Sequence, residues 1–154
     1  MMNVTDALIQ HFETRIFPEY FNTCRWFAGK ARVQKGFHVQ HLLPLGESRI
    51  MIVEVSYHDG PSEFYQLPIT HLPLDVEIPE KGILEKTDTT QWVDAIYDEG
   101  FRSELYKAIF HHSVLTAGDS LLASVKGKGL ADSDTPERID SRVLPVDSSN
   151  SAML

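Results

Sequence analysis

Residues 49–58 read RIMIVEVSYH, and no other stretch limits the possible folds as strongly. Successive side chains of a strand point to opposite faces. Met51, Val53, Val55 and Tyr57 therefore share one face, and Ile50, Ile52, Glu54 and Ser56 share the other. The first face is the apolar one, and β-branched residues favour the pleated conformation throughout. His58-Asp59-Gly60-Pro61 follows as a strong turn signal, and residues 63–69 read as the return strand of a hairpin. A hairpin with one apolar face must bury that face against another element.

The N-terminal segment is suited to cover it. Thr5 or Asp6 can cap a helix, and Leu8, Phe12 and Ile16 then recur every four residues along one side. The spacing predicts an amphipathic helix of about three to four turns, which Pro18 either ends or restarts. Further strand-like runs occupy residues 33–45, with Val39, His41 and Leu43 in alternation, and residues 82–86, 89–97 and 121–125. Pro68, Pro73 and Pro79 punctuate a loop ending near Lys81. A second helix is expected from about Glu99, burying Phe101, Leu105, Ala108 and Ile109, through about His112. The expected class is α+β: a mostly antiparallel sheet of about five strands packed on an N-terminal helix, with a second helix and a polar C-terminal tail. Gly, Asp, Ser and Pro dominate after Lys126, so residues 1–126 read as one domain, 127–140 as a linker, and 141–154 as the start of something further.

Composition excludes several partners. The chain has 154 residues and a net charge of −8, which argues against nucleic acid and anionic membranes. Arg25, Lys30, Arg32 and Lys35 form the one dense cationic run, and a solvated loop is its plain reading. The single cysteine, Cys24, cannot form an intrachain disulfide and reads as a buried thiol. No apolar run approaches the roughly 20 residues needed to span a bilayer. The start, MMNVTDALIQ, lacks the basic and long apolar regions of a signal peptide, which discounts the sequon Asn3-Val4-Thr5; the expected location is the cytoplasm.

Candidate chemistry fails on detail. Ala28-Gly29-Lys30 is not a phosphate loop, because Cys24 stands where its first glycine belongs and Ala31 where Ser or Thr would hold magnesium. Gly127-Lys128 fails likewise, with Leu122 and Gly129 in those places. His111 and His112 diverge by about 100° on a helix and suit a helix C-terminus better than a shared metal. The segment 132–140 has Glu137 where a calcium loop needs glycine, and Pro136 intrudes. His58-Asp59 reads as part of a turn. No catalytic residue, and no nucleophile with a base and an orienting group, emerges from these patterns.

The stretch Arg25-Trp26-Phe27-Ala28-Gly29-Lys30-Ala31-Arg32 resembles the RWFxGKxR motif near the N-terminus of bacterial maltokinases, including those fused to trehalose synthase. The preceding Ile16-Phe17-Pro18-Glu19-Tyr20-Phe21 and the hairpin of residues 52–69 are similar to the same family. The tail SRVLPVDSSNSAML, residues 141–154, resembles the segment that opens the family's kinase N-lobe, so that the resemblance implies a truncated start of that lobe there. The resemblance implies the N-terminal cap region of a maltokinase: a curved antiparallel sheet on a helix, preceding a kinase region of aminoglycoside-phosphotransferase type. The complete protein would phosphorylate maltose to maltose 1-phosphate with ATP and Mg, feeding α-glucan synthesis. Its partners would be the kinase lobe of the same chain and a trehalose synthase. Ser149, Asn150 and Ser151 match a loop expected near ATP; this stretch of chain itself is expected to bind no cofactor or metal and to have no kinase activity.

The motif residues Arg25, Trp26, Phe27, Gly29, Lys30 and Arg32 then carry two readings. In one, the rings anchor the segment leaving the helix and the cations hold carboxylates or carbonyls, with a cation stacked beside Trp26. In the other, they position substrate or gate the kinase cleft. Ala31 stands where the family usually has a second glycine, which questions any backbone conformation needing Gly there. The alternative to a kinase cap is a stand-alone module that binds α-glucans through Trp26, Trp92 and nearby tyrosines, or binds a partner protein.

Overall fold

The computed structural model describes residues 4–130 and 140–144. The N-terminal helix does not end at Pro18. It runs as α1 (Val4–His11), a wide π-type turn (Phe12–Ile16) and α2 (Phe17–Thr23). In the wide turn Phe17 N–H reaches back to Phe12 O, and Pro18, which has no N–H to donate, follows directly in the first turn of α2, where the ladder has already widened. The extra residue rephases the apolar stripe. Leu8, Phe12 and Ile16 are followed by Phe17 and Phe21, and the Phe12 and Phe17 rings meet at 5.4 Å.

Five strands form one antiparallel sheet in the order β1-β2-β3-β5-β4: β1 (Gln34–Leu45), β2 (Ser48–Tyr57), β3 (Glu63–Pro73), β4 (Ile83–Lys86) and β5 (Thr90–Asp94). This is the α+β sheet-on-helix arrangement that the patterning predicts. Met51, Val53 and Val55 are fully buried beneath the helix with Phe12, Phe17 and Phe21. Each such ring contributes about 1.5–3 kcal/mol through its burial.

The expected alternation of Val39, His41 and Leu43 is broken by a β-bulge. Val39 pairs with Val53 and His41 with Ile52, so the extra residue, Gln40, moves His41, Leu43 and Leu45 to the face opposite Val39. There Leu43, Leu45 and Ile50 meet a second cluster built on α3 (Glu99–Phe110), which buries Phe101 and Ala108. Asp98 caps α3 by accepting from Phe101 N–H at 2.9 Å. A separate hairpin, β6 (Val114–Ala117) and β7 (Ser120–Ala123), turns at Gly118 (φ +57°) and adds Leu115 and Leu122 to this cluster. The expected strand at 121–125 is its second arm; β6 had no clear signal because four residues follow too closely on the helix end.

Two helix side chains grip the two edges of the sheet. Glu13 Oε1 accepts from Val39 N–H at 2.7 Å beside the bulge, and His11 Nε2 lies 2.9 Å from both carboxylate oxygens of Glu85 on β4. Among the described residues, no helix is long and apolar enough to cross a membrane.

Candidate functional site

The motif segment leaves α2 at Cys24, whose extended backbone (ψ 129°) ends the helix. A 3₁₀ turn, Ala28–Ala31, then leads into β1. Phe27 is buried with edge contacts to Phe21 and Tyr65 at 5.3 and 5.2 Å. Trp26 is half-buried against Phe21 (5.1 Å) and Tyr65 (5.8 Å). Gly29 is required by contact: a Cβ there would stand 2.0 Å from the Tyr57 hydroxyl oxygen. Ala31 needs no glycine, since His112 (φ 53°) is the one non-glycine with positive φ among the described residues.

Arg32 closes a knot between the motif and the β2–β3 hairpin. Its guanidinium lies 3.5 Å from the centre of the Tyr57 ring. Nη1 donates to Glu63 Oε1 at 3.1 Å, while Nη2 donates to the carbonyls of Asp59 (2.6 Å) and Pro61 (3.1 Å). Tyr57 and Tyr65 hydroxyls both donate to Glu63 Oε2 at 2.6 Å. The Tyr57 bond, then the Tyr65 bond, hold the Glu63 carboxyl below its usual range, and burial pushes both tyrosines up. The stacked cation thus sits on Tyr57 rather than on Trp26. Asp59 enters through its main chain, in the turn where Gly60 (φ +79°) leaves room for Nη2.

Arg25 and Trp26 face elsewhere. They line a cleft of about 810 Å³ with Tyr20, Lys81, Lys86 and Tyr97, closed on one side by Val143 and Leu144. At its floor Asp94 is 3 % exposed; Oδ2 accepts from the Tyr20 hydroxyl at 3.1 Å and Oδ1 from Ile96 N–H at 3.1 Å. Burial raises the Asp94 carboxyl to about 6 despite those bonds. Burial likewise raises the Cys24 thiol to about 11, and its Sγ donates to Tyr20 O at 3.3 Å, so it rests as an unreactive core thiol. Lys81 Nζ stands 5.6 Å from the centre of the Tyr97 ring.

The structure thus brings Phe27, Gly29 and Arg32 to the knot and Arg25 and Trp26 to the cleft, while Lys30 lies exposed on the 3₁₀ turn. Trp92 stands apart, its ring stacked on His71 at 4.4 Å and touching Phe12 edge-on. His111 and His112 are both exposed at the end of α3, and no group of three metal-ligating side chains occurs among the described residues. Ser149, Asn150 and Ser151 lie outside the described residues, as does most of the segment 132–140. Sequence reasoning missed Glu63, Tyr65, Asp94 and Tyr20. Asp94 left one signal, an acid among the buried positions of Gln91-Trp92-Val93-Asp94-Ala95-Ile96. Glu63 left none: Tyr57 and Tyr65 lie within six residues of it, but alternation along a hairpin does not show that their hydroxyls converge on one carboxylate, and Arg32 is 31 residues away.

The family model described as the maltokinase N-terminal cap domain matches residues 20–98. That span runs from Tyr20 at the cleft to Asp98 at the cap of α3, and so includes the whole sheet, the knot and the cleft floor.

Proposed function

The chain belongs to the maltokinase N-terminal cap domain family, and we propose that it acts as the non-catalytic cap of a maltokinase-like sugar kinase. In this reading the complete polypeptide transfers phosphate from ATP, with Mg, to maltose, giving maltose 1-phosphate. Its partners are the kinase lobe of the same polypeptide and a trehalose synthase, and its place is the cytoplasm.

The observation that carries the reading is the knot at Arg32. Its guanidinium is committed to Glu63, two carbonyls and the Tyr57 face, so this charge of the motif serves to tie the segment leaving the helix to the hairpin. That is the work of a rigid cap. A glucan platform at Trp92 is less favoured, because His71 already covers one of its ring faces.

The test measures ADP formation from ATP and maltose by the whole polypeptide of the reading frame, beside this 154-residue chain. Turnover by the whole polypeptide alone is expected. A folded whole polypeptide with no turnover on maltose or related glucosides would sink the assignment.

A further inference from the structure

The molecule is acidic, with a net charge of −8, yet the cleft beside the motif is lined the other way. Arg25, Lys81 and Lys86 line the cleft against one exposed acid, Glu80, while Asp94 is 3 % exposed and bonded to Tyr20 and Ile96 N–H. Cations gathered in a concave site with low-dielectric walls focus a positive field and draw anions. Two aromatic rings share the cleft with them. Trp26 is braced from behind by Phe21 and Tyr65, and the Tyr97 ring lies beside Lys81. Braced rings offer flat apolar surface at low entropic cost, and ammonium groups bind phosphate as point charges.

We propose that this cleft binds a small organic phosphate, with the phosphate at Lys81 and Lys86 and the ring-shaped body against Trp26 and Tyr97. The volume of about 810 Å³ admits a molecule of that size. A sugar phosphate and a nucleotide share this chemistry, and the experiment separates them. Val143 and Leu144 also line the cleft, and just ahead of them Ser141 is held by Arg102, whose Nε and Nη2 donate to its Oγ and O, each at 2.9 Å. The inference rests on the cleft alone and is independent of the kinase-cap reading.

The test titrates the 154-residue chain by calorimetry with glucose 1-phosphate, ADP, inorganic phosphate and maltose. Saturable binding of glucose 1-phosphate or ADP is expected, at least about tenfold tighter than inorganic phosphate, with maltose inert. The tighter of the first two identifies the source. Lys81→Met with Lys86→Met should weaken binding by about tenfold or more at unchanged melting temperature. A second readout uses the unaltered chain: the ligand should shield Lys81 and Lys86, but not Lys35 or Lys128, from an acylating reagent. No saturable binding at millimolar concentration, inorganic phosphate bound equally well, or protection confined to other lysines would each overturn the proposal.

Discussion

At Gly29 the packing leaves no room for a methyl group, since a Cβ would stand 2.0 Å from the Tyr57 hydroxyl and 2.7 Å from the Phe27 ring. Gly29→Ala should therefore push Tyr57 off Glu63 and cost about 1–3 kcal/mol, read by urea denaturation. Unchanged stability would mean that Tyr57 is not held. The two carboxyls give opposite pH signatures. Glu63 titrates below its ordinary value, so its contribution is present above about pH 4.5 and is lost as pH falls further. Asp94 titrates above its ordinary value, at about 6. Its contribution is complete below about pH 3.8 and is lost as pH rises to about 6. The loss is on the order of 3 kcal/mol, the two pH units between those values converted to free energy. Asp94→Asn, compared with the natural chain by denaturation from pH 4 to 7, should remove this decline and leave the acid limb intact. Parallel curves for the two proteins would refute it. Gly29 was legible as part of the Arg25–Arg32 motif, but Glu63 and Asp94 were not, because Arg32 and Tyr20 lie 31 and 74 residues from them in the chain.

The elements carry their own predictions. The bulge at Gln40 decides which side of β1 faces which core, so deleting Gln40 should turn either Phe37 and Val39 or Leu43 and Leu45 toward the wrong face. The expected result is loss of the cooperative thermal transition; a normal melt would show that the register does not depend on the bulge. The bulge is invisible in the period-two pattern, which continues through Val39, His41 and Leu43 as though the strand were regular. The π-type turn escaped for a similar reason: periodicity predicts where a stripe begins, and a single inserted residue shifts its phase without altering composition. At the far end, Arg102 ties Ser141 to α3 and also donates to Ile96 O at 2.7 Å. Arg102→Ala should speed amide exchange across residues 141–144 about tenfold or more while leaving β2 unchanged. Equal exchange would place that segment's anchor elsewhere.

On the scale of the molecule, one sheet serves two cores. Phe12, Phe17 and Phe21 fill one face, while Phe101 and Ala108 cover Leu43, Leu45 and Ile50 on the other. The family match ends at Asp98, before α3 begins to cover that second face. A chain cut after Asp98 should therefore expose Leu43, Leu45 and Ile50, bind a hydrophobic dye more strongly and melt lower than the longer chain. Equal dye binding would mean that the second core is dispensable. The edges are managed by the same helix, with His11 on β4 and Glu13 on β1, which guards the sheet against pairing with other chains.

The sequence by itself determined the class of fold, the central hairpin, the face of β2 that lies under the helix, and the family, because alternation, turn residues and the Arg25–Arg32 motif are local signals. Only the tertiary structure decided that Arg32 stacks on Tyr57 and grips Glu63, that Asp94 meets Tyr20, and that Arg25, Trp26, Lys81 and Tyr97 share one cleft. The physical reason is distance along the chain. Tyr20 and Asp94 are 74 residues apart, and Arg32 and Glu63 are 31 apart. Such pairs form only once the strands between them have paired, and no local pattern specifies which side chains will then face one another.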